Sequence, residues 1–492
     1  MRTYHVMPAP TSLIEGQGRY LLGENAVVRT GSALTQAQQA ELEGLFSRFM
    51  LRAGRVEVRM DAKLAPCEAV WGEGACVELN AEDEYALKIS EAGGCIRAKD
   101  GRGLLHGLFT LLQLIEPAQP TGKLAFCAPA VEIHDHPAMK MRAIHLCLFP
   151  ENTLLLMEKA IRLAGVLKYT HVIIEFWGTL RYDVMKELAW PEHSWEKSEI
   201  RALVDLAHRM GLEMIPMFNH LGHATQSRVA HGRHVTLDQN PSLARLFEPD
   251  GWTWCLSNPE THELLRAVRE ELMELCGPGE YFHLGCDEAY SYASCPVCSE
   301  KDGPKMLADY LNGLTGELAE KGRRPMIWAD ALMDSAAWEP PTIATSRPDQ
   351  KTHLALPLLD RRIIMADWQY NISTPEVPSA EYFMREGFDV TLCPWDGRNN
   401  IRSLAEAADR QGALGLMVTT WHHLPEMLRI LDVGAEYAWN GTRSQANLIV
   451  TGTAALLRKV MPELPSFEDA GFIRHEVPHP DRYMMKKSTQ ES

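Results

Sequence analysis

The chain of 492 residues lacks the continuous apolar run of roughly 20 residues that a membrane-spanning helix requires. It is also poor in positive charge, with 49 Lys and Arg against 65 Asp and Glu and a formal net charge of -16. Because nucleic-acid backbones and anionic membrane surfaces are bound through clustered cations, this deficit argues against both kinds of partner. The first residues contain no secretory apolar stretch, so we expect a cytoplasmic protein.

Cysteine is present, but not in a pattern typical of a disulfide framework or of a zinc finger. The eleven cysteines are an odd number in a long chain. The motif Cys295-Pro-Val-Cys298 has no second pair at zinc-ligand spacing, although His283 and Cys286 lie nearby in sequence. We therefore favour two free thiols in a loop over a structural metal, and we expect no metal in the site.

The composition and the length predict a folded chain with more than one domain. Apolar residues make up 46% and charged residues 23%, which are ordinary values for a globular protein. Residues 1–135 combine alternating, strand-like segments such as Arg55–Arg59 with a helical apolar spacing at Gly101–Glu116. This region is predicted to be a small α+β domain that ends at the proline-punctuated segment Ile133–Ala138.

Residues 136–443 alternate short apolar runs with amphipathic helical segments. The order favours an α/β fold, a single (β/α)8 TIM barrel, over a doubly wound sheet, because no glycine-rich fingerprint follows an early strand. Residues 444–492, with a helical pattern at Ala446–Val460, predict a C-terminal helical tail packed on the barrel. The predicted barrel strands are Met141–Leu148, Tyr169–Phe176, Glu213–Phe218, Tyr281–Gly285, Pro325–Trp328, Ile363–Trp368, Asp389–Leu392 and Gly415–Thr419.

The carboxyl ends of these strands carry the side chains of interest, as expected for a barrel enzyme. The fourth strand ends in the acidic pair Asp287-Glu288, and the four later strands each end near a tryptophan. An acidic pair alone is usual on the surface of so acidic a chain, and a single terminal tryptophan more often packs than binds. Four tryptophans together favour a carbohydrate ligand, because aromatic faces suit the apolar faces of a sugar ring.

The segment His283-Leu-Gly-Cys-Asp-Glu288 resembles the His-x-Gly-Gly-Asp-Glu signature of glycoside hydrolase family 20, the β-N-acetylhexosaminidases. The helix at Gly103–Leu114, the Asp135-His-Pro entry to the first barrel strand and the third-strand segment ending in Gly222-His223 are also similar to that family. The resemblance implies a glycan with a terminal β-linked N-acetylhexosamine as partner, and no cofactor.

The resemblance further implies a retaining, substrate-assisted hydrolysis, in which the acetamido oxygen of the sugar attacks C1 in place of an enzyme carboxylate. Glu288 is then the general acid and base, Asp287 orients the acetamido group, and Tyr370 is the candidate that polarises its carbonyl. We expect substrate contacts from Arg142, His145, His223, Trp328, Trp368, Trp395, Asp396, Trp421 and His423.

Several positions depart from the family pattern. Cys147 and His423 stand where the family has carboxylates that contact hydroxyls on the far side of the sugar from C1, and Asn219 replaces an aspartate. The acetamido machinery is thus retained while the recognition of the other hydroxyls is altered. We expect an exo-β-N-acetylhexosaminidase acting on GlcNAc and/or GalNAc. A β-N-acetylgalactosaminidase and a catalytically inactive sugar-binding relative are the alternatives.

Overall fold

The computed structural model describes residues 6–50, 55–118, 125–150, 152–225, 234–421, 424–444, 456 and 460. A mixed sheet comes first and a closed barrel of eight parallel strands follows. The predicted α/β fold, a (β/α)8 barrel preceded by a small α+β domain, is confirmed. The predicted C-terminal tail lies outside the described residues except for residues 444, 456 and 460. Within these ranges, no helix combines the length and the apolar character needed to cross a bilayer.

The N-terminal domain is one sheet with two helices packed on it. The strands lie in the order β1-β8-β5-β6-β4-β2-β3, β7 pairs with β8, and β2 and β3 run parallel. A disulfide joins Cys76 to Cys95 of β6, a pairing that the cysteine pattern did not indicate. The elements are β1 (Ser12–Leu22), β2 (Asn25–Thr30), α1 (Gln36–Met50), β3 (Arg55–Met60), β4 (Glu68–Gly72), β5 (Tyr85–Ser90), β6 (Gly93–Ala98), α2 (Gly101–Leu114), β7 (Glu116–Ala118) and β8 (Ala125–Asp135).

The barrel closes by pairing its last strand with its first, in parallel register from Gly415↔Met141 to Thr419↔His145. Every predicted barrel strand is present, with ends that shift by two residues or fewer. The strands are β9 (Met141–Cys147), β10 (His171–Glu175), β11 (Glu213–Met217), β12 (Tyr281–His283), β13 (Arg324–Trp328), β14 (Ile364–Trp368), β15 (Asp389–Cys393) and β16 (Gly415–Thr419).

Several of the barrel helices begin at ordinary capping residues. Asn258 accepts the amide of Glu260 and is followed by a proline at the first helical position, and Asp302 accepts the amide of Lys305. The helices are α3 (Leu154–Val166), α4 (Lys197–Arg209), α5 (Thr236–Gln239), α6 (Pro259–Cys276), α7 (Gly303–Glu320), α8 (Pro378–Arg385), α9 (Arg398–Gln411), α10 (Leu424–Met427) and α11 (Leu431–Asn440). Short 3₁₀ turns cover Lys186–Leu188, Pro241–Leu246, Asp330–Leu332, Thr352–Leu358, Leu428–Ile430 and Gly441–Arg443.

A buried polar cluster joins the two domains at the amino end of the barrel. Asp135, the last residue of β8, forms an ion pair with Lys168 at 2.9 Å and accepts the indole N–H of Trp439 at 2.8 Å. The hydroxyl of Tyr85 donates to the same carboxylate at 2.6 Å. Because the charges of Asp135 and Lys168 are both buried, each depends on the other for compensation. This end of the barrel is therefore occupied by structural contacts, and chemistry is left to the opposite end.

Candidate active site

The acidic pair lies on a tight turn directly after β12. Three residues of this turn have positive φ angles, namely Gly285 at 68°, Cys286 at 82° and Glu288 at 46°. A Cβ atom at Gly285 would lie 1.8 Å from Asn219 Oδ1, so only glycine fits there. Left-handed backbone at a non-glycine residue costs on the order of 1–3 kcal/mol and is typical of functional sites. The turn is therefore held in this shape by its surroundings.

His223 lies against both carboxylates of the pair. Its Nε2 is 3.0 Å from Asp287 Oδ2 and 3.3 Å from Glu288 Oε2. Since an ionised carboxylate only accepts, His223 donates to Asp287 from Nε2. Asp287 is buried, whereas the Glu288 side chain is 31% exposed and accepts the Tyr290 hydroxyl at 2.8 Å. The Asp287 carboxylate is thus enclosed, and the Glu288 carboxylate is accessible to a ligand.

The loop after β11 packs directly on this turn. A Cβ atom at Gly222 would lie 2.1 Å from the backbone oxygen of Asp287, so this approach requires glycine. Further along the chain, Trp252 donates its indole N–H to the backbone oxygen of Glu288 at 2.6 Å. The ring of Trp252 also lies 4.5 Å from that of His223, measured between centroids. The loop therefore positions both the histidine and the acidic pair.

Asp330, just after β13, links the acidic pair to the aromatic side chains. Its Oδ2 accepts the backbone N–H of Glu288 at 3.0 Å and the hydroxyl of Thr345, and its Oδ1 accepts the indole N–H of Trp368 at 2.9 Å. Burial and, next in size, the negative charge of Asp287 raise the pKa of Asp330 to about 7. This carboxyl group therefore titrates near neutral pH.

Tyr370 is surrounded by tryptophans at the ends of β14, β15 and β16. Its hydroxyl oxygen accepts the indole N–H of Trp421 at 2.8 Å, which leaves its own proton available for a ligand oxygen. The ring of Tyr370 lies 5.1 Å from that of Trp368 and 5.5 Å from that of Trp395. Burial raises the pKa of Tyr370 well above its usual range, so the hydroxyl stays protonated and can act as a donor.

A second buried carboxylate lies at the carboxyl ends of the first three barrel strands. Glu175 Oε2 is 3.0 Å from His145 Nε2 and 3.4 Å from Cys147 Sγ, and Oε1 accepts the side-chain amide of Asn219 at 2.8 Å. The ring of His145 lies 4.8 Å from that of Trp421. Two of these residues, Cys147 and Asn219, are departures from the family pattern, so Glu175 supplies a carboxyl group beside two positions where the family has acids.

Several buried polar atoms of the site have no hydrogen-bond partner among the described residues. Trp328 connects two of their side chains, because its ring lies 4.5 Å from His283 and 5.7 Å from His145. Burial lowers the pKa of His283 to about 3, so its ring is neutral. Buried polar groups are almost always hydrogen-bonded, so water molecules or ligand atoms are the expected partners of these atoms. They are Asp287 Oδ1, Trp328 Nε1, His283 Nε2 and His145 Nδ1.

The structure does not bring Arg142 into this group, contrary to the sequence-based expectation. Arg142 is the second residue of β9 and lies at the amino end of the barrel. Its guanidinium donates to the backbone oxygens of Lys168 and Met139 and lies over the ring of Trp439. Side chains alternate along a strand, and here Met141 and Ala143 point into the barrel interior. Arg142 consequently points outward and stabilises the domain contact.

Two further expected contacts are not seen in the described site. Asp396 follows Trp395 in the loop after β15 and is exposed, so its carboxylate faces solvent. His423 lies outside the described residues. The other expected residues, Asp287, Glu288, Tyr370, His145, His223 and the four tryptophans, lie at the carboxyl ends of the barrel strands or just beyond them.

Three contributors to the site had been given no role from the sequence. Glu175 and Asp330 are carboxylates at strand ends, and that position was a usable signal. Trp252 comes from the long excursion between β11 and α6, where no periodic pattern points to the barrel. A contact of this kind becomes visible only when the chain is folded.

The fold and these side chains define a (β/α)8 barrel with an acidic pair beside a cluster of aromatic side chains at the carboxyl ends of its strands. The chain belongs to glycosyl hydrolase family 20. The model described as "Glycosyl hydrolase family 20, catalytic domain" matches residues 177–421, and the model for domain 2 of the same family matches residues 3–136.

Curated relatives match over part of their length. The chain is 21% identical over 289 residues to a "Beta-hexosaminidase" of Porphyromonas gingivalis, covering 51% of this chain and 36% of the relative. It is 26% identical over 180 residues to human "Hexosaminidase D", covering 33% of this chain and 34% of the relative. The chain thus spans about a third of the length of these two relatives.

Solved structures share the fold at low identity. The Flavobacterium johnsoniae chitobiase superposes with a TM-score of 0.66 at 18% identity, covering 92% of this chain and 72% of the other. A family 20 exo-β-N-acetylglucosaminidase from Vibrio harveyi, in complex with N-acetylglucosamine, gives a TM-score of 0.66 at 16% identity, covering 93% and 76%. The Streptomyces plicatus N-acetyl-β-hexosaminidase gives 0.62 at 16%, covering 96% of each chain.

Proposed function

We propose that the chain is an exo-acting β-N-acetylhexosaminidase that releases a terminal β-linked N-acetylhexosamine, GlcNAc and/or GalNAc, by substrate-assisted hydrolysis. The observation that carries this proposal is the asymmetry of the acidic pair: Asp287 is enclosed and held by His223, whereas Glu288 is accessible. Adjacent acids in different environments can take different roles. Family membership and the printed names of the relatives support the same activity.

In the first step, the acetamido oxygen of the bound sugar forms a bond to C1 while the bond from C1 to the leaving oxygen breaks. Glu288 gives its proton to the leaving oxygen. In the second step, water attacks C1 and returns a proton to Glu288, and the acetamido group is restored. Because Glu288 is accessible, its carboxyl group can exchange a proton with the leaving oxygen and then with the water molecule. The hydrogen bond from Tyr290 orients its carboxyl group.

Asp287 and Tyr370 act on the acetamido group. Asp287 Oδ1, which has no partner among the described residues, accepts the acetamido N–H and stabilises the positive charge that develops there. Tyr370 donates its proton to the acetamido oxygen, because its own oxygen is already occupied by the indole N–H of Trp421. Trp328, Trp368 and Trp421 supply apolar faces for the sugar and the acetamido methyl group. The partner is therefore a glycan or glycoconjugate.

Two alternative functions remain, one that differs from this proposal in the sugar it recognises and one that differs in lacking turnover. A β-N-acetylgalactosaminidase would share the chemistry and differ in the recognition of O4 and O6, for which the family carboxylates are replaced by Cys147 and His423. A catalytically inactive sugar-binding protein would keep the aromatic cleft without turnover. The retained pair Asp287 and Glu288 counts against the second, because sugar binding needs no general acid.

The proposal is tested with aryl glycosides that differ at one substituent. The aryl β-GlcNAc or β-GalNAc substrate should be hydrolysed, and the matching β-glucoside or β-galactoside, which lacks the C2 acetamido group, should be an extremely poor substrate. A thiazoline mimic of the intermediate should inhibit strongly. Comparable turnover with and without the acetamido group would point to an enzyme nucleophile. Sugar binding without turnover of any of the four would indicate the inactive relative.

A further inference from the structure

Three cysteines and a glutamate converge beside the active-site loops. One donor atom of each of Glu248, Cys255, Cys295 and Cys298 lies within 4.8 Å of the others. Cys255 Sγ is 3.7 Å from both Cys295 Sγ and Cys298 Sγ. Glu248, Cys255 and Cys298 are buried, with 1%, 6% and 0% of their surfaces exposed. The Cys-x-x-Cys motif therefore has two partners that its sequence neighbourhood did not reveal.

The partners come from a small hairpin in the excursion between β11 and α6. Phe247 and Trp254 form an antiparallel bridge, and the N–H of Glu248 donates to the backbone oxygen of Thr253 at 2.8 Å. This pairing places Glu248 and Cys255, each adjacent to a bridge residue, at the base of the hairpin. The Cys-x-x-Cys motif comes from the loop after β12. The cluster thus joins two loops that are distant in sequence.

The carboxylate of Glu248 is only half satisfied. Its Oε2 accepts the N–H of Cys295 at 2.5 Å and the hydroxyl of Ser294 at 3.3 Å. Its Oε1 is buried and has no hydrogen-bond partner among the described residues, and no described Lys, Arg or His forms an ion pair with Glu248. Burying a carboxylate oxygen without a donor or a cation is costly. Thiols in contact explain the sulfur distances, and the Cys298 thiol is hydrogen-bonded to this carboxylate. A thiol is a weak donor, however, and does not compensate a buried negative charge as a cation would.

We propose that Glu248, Cys255, Cys295 and Cys298 bind one zinc ion. With zinc–sulfur bonds of about 2.3 Å, a tetrahedral site places its sulfurs about 3.7 Å apart, which agrees with the distance of 3.7 Å from Cys255 Sγ to each of the other two sulfurs. Thiolates select soft metals, and a carboxylate oxygen is an accepted fourth ligand of zinc. Four protein donors leave no position for water, so the ion has a structural role. Under this proposal Cys295 and Cys298 are zinc ligands, whereas the sequence alone favoured two free thiols.

The surrounding hydrogen bonds fit metal-bound thiolates. The backbone N–H of Cys298 points to Cys295 Sγ at 3.3 Å, and the hydroxyl of Ser257 lies 2.9 Å from Cys298 Sγ. Donors of this kind orient ligands and stabilise their negative charge. Between the two ligands of the hairpin lies Trp252, whose indole contacts the backbone of Glu288. The ion consequently fastens the hairpin that supports the acidic pair.

The test is the metal content of the full chain, expressed with zinc in the medium and purified without chelators. Elemental analysis should find one equivalent of zinc per chain. Cys255→Ser and Cys298→Ser should each lose the zinc, whereas Cys127→Ser, an equally buried free thiol of the N-terminal sheet, should retain it. Cobalt exchanged into the wild-type protein should show the intense bands of a tetrahedral thiolate site, a readout that does not depend on the folding of any variant.

Two results would overturn the zinc site. One is wild-type protein without metal, in which peptide mapping finds Cys255, Cys295 and Cys298 as free thiols or as a disulfide. The other is zinc that remains bound in folded Cys255→Ser and Cys298→Ser, which would locate it elsewhere. The test does not use substrate, so it is independent of the proposed hydrolase activity.

Discussion

The Oδ2 atom of Asp330 accepts the backbone N–H of Glu288 at 3.0 Å and so connects the fifth barrel strand to the acidic pair on the fourth. The same carboxylate accepts the indole of Trp368 through its other oxygen. Asp330 therefore positions both the turn that carries Glu288 and the ring of Trp368.

The raised pKa of Asp330 predicts a pH-dependent stability. Burial and the charge of Asp287 raise this pKa from an ordinary 3.8 to about 7, so the folded chain binds the proton more tightly than the unfolded chain does. The contribution is therefore present below about pH 4 and is lost as the pH rises to about 7, at ~1.4 kcal/mol per pH unit. Relative to Asp330→Asn, the wild-type free energy of unfolding should fall across this window.

The control for that experiment is Asp309→Asn, which removes an exposed carboxylate of α7 that pairs with Lys305. Denaturant unfolding at several pH values between 4 and 7 measures the slopes. The control should follow the wild-type curve. Parallel curves for the wild type and Asp330→Asn would show that Asp330 ionises outside this window.

Glu288→Gln should reveal the general acid through the leaving group. Loss of the proton donor should reduce kcat/KM strongly, by roughly 10²–10⁴-fold, for substrates with poor leaving groups, because those need protonation. Activated aryl glycosides should be affected far less in their first step. Glu280→Gln, an exposed glutamate at the other end of the same strand, is the matched control and should stay near wild type. Small and equal losses for both substrate types would remove Glu288 from this role.

Asp287→Asn tests the orientation of the acetamido group. The variant keeps the shape of the side chain but loses the charge that stabilises the acetamido nitrogen, so turnover should fall even with activated leaving groups. A loss of 10²-fold or more in kcat is expected, with a smaller change in KM. Circular dichroism of the variant should match the wild type. Near wild-type turnover would refute the orienting role, whatever the result for Glu288.

The replacement of a family carboxylate by Cys147 predicts a changed preference between N-acetylglucosamine and N-acetylgalactosamine. Carboxylates accepting from sugar hydroxyls make strong, directional contacts, and Cys147 stands where one is lost. We expect N-acetylgalactosaminides to be hydrolysed at least as well as N-acetylglucosaminides. Relative kcat/KM for the two aryl glycosides measures this. A ten-fold preference for the gluco substrate, about 1.4 kcal/mol in transition-state binding, would contradict it and leave the hexosaminidase proposal intact.

Much of the barrel could be predicted because its strands are short, apolar and separated by amphipathic helices. Periodicity locates an element but says little about which face a residue presents when the strand is apolar throughout. Arg142 illustrates the limit. Every residue of β9 is buried, so the pattern of apolar residues does not show which side chains point into the barrel. A shift of one residue along the strand moves a side chain from the barrel interior to the contact between the domains. His145, three residues later, points to the interior for the same reason.

The sequence by itself determined the order of the elements, the family and the residues that stand at the strand ends, since all of these depend on local patterns. Only the tertiary structure decided which of those residues meet. Trp252 reaches Glu288 across 36 positions of the chain, and Cys255 reaches Cys295 across 40. Such contacts depend on how the loops after β11 and β12 fold over the barrel mouth, and that packing has no periodic signature in the sequence.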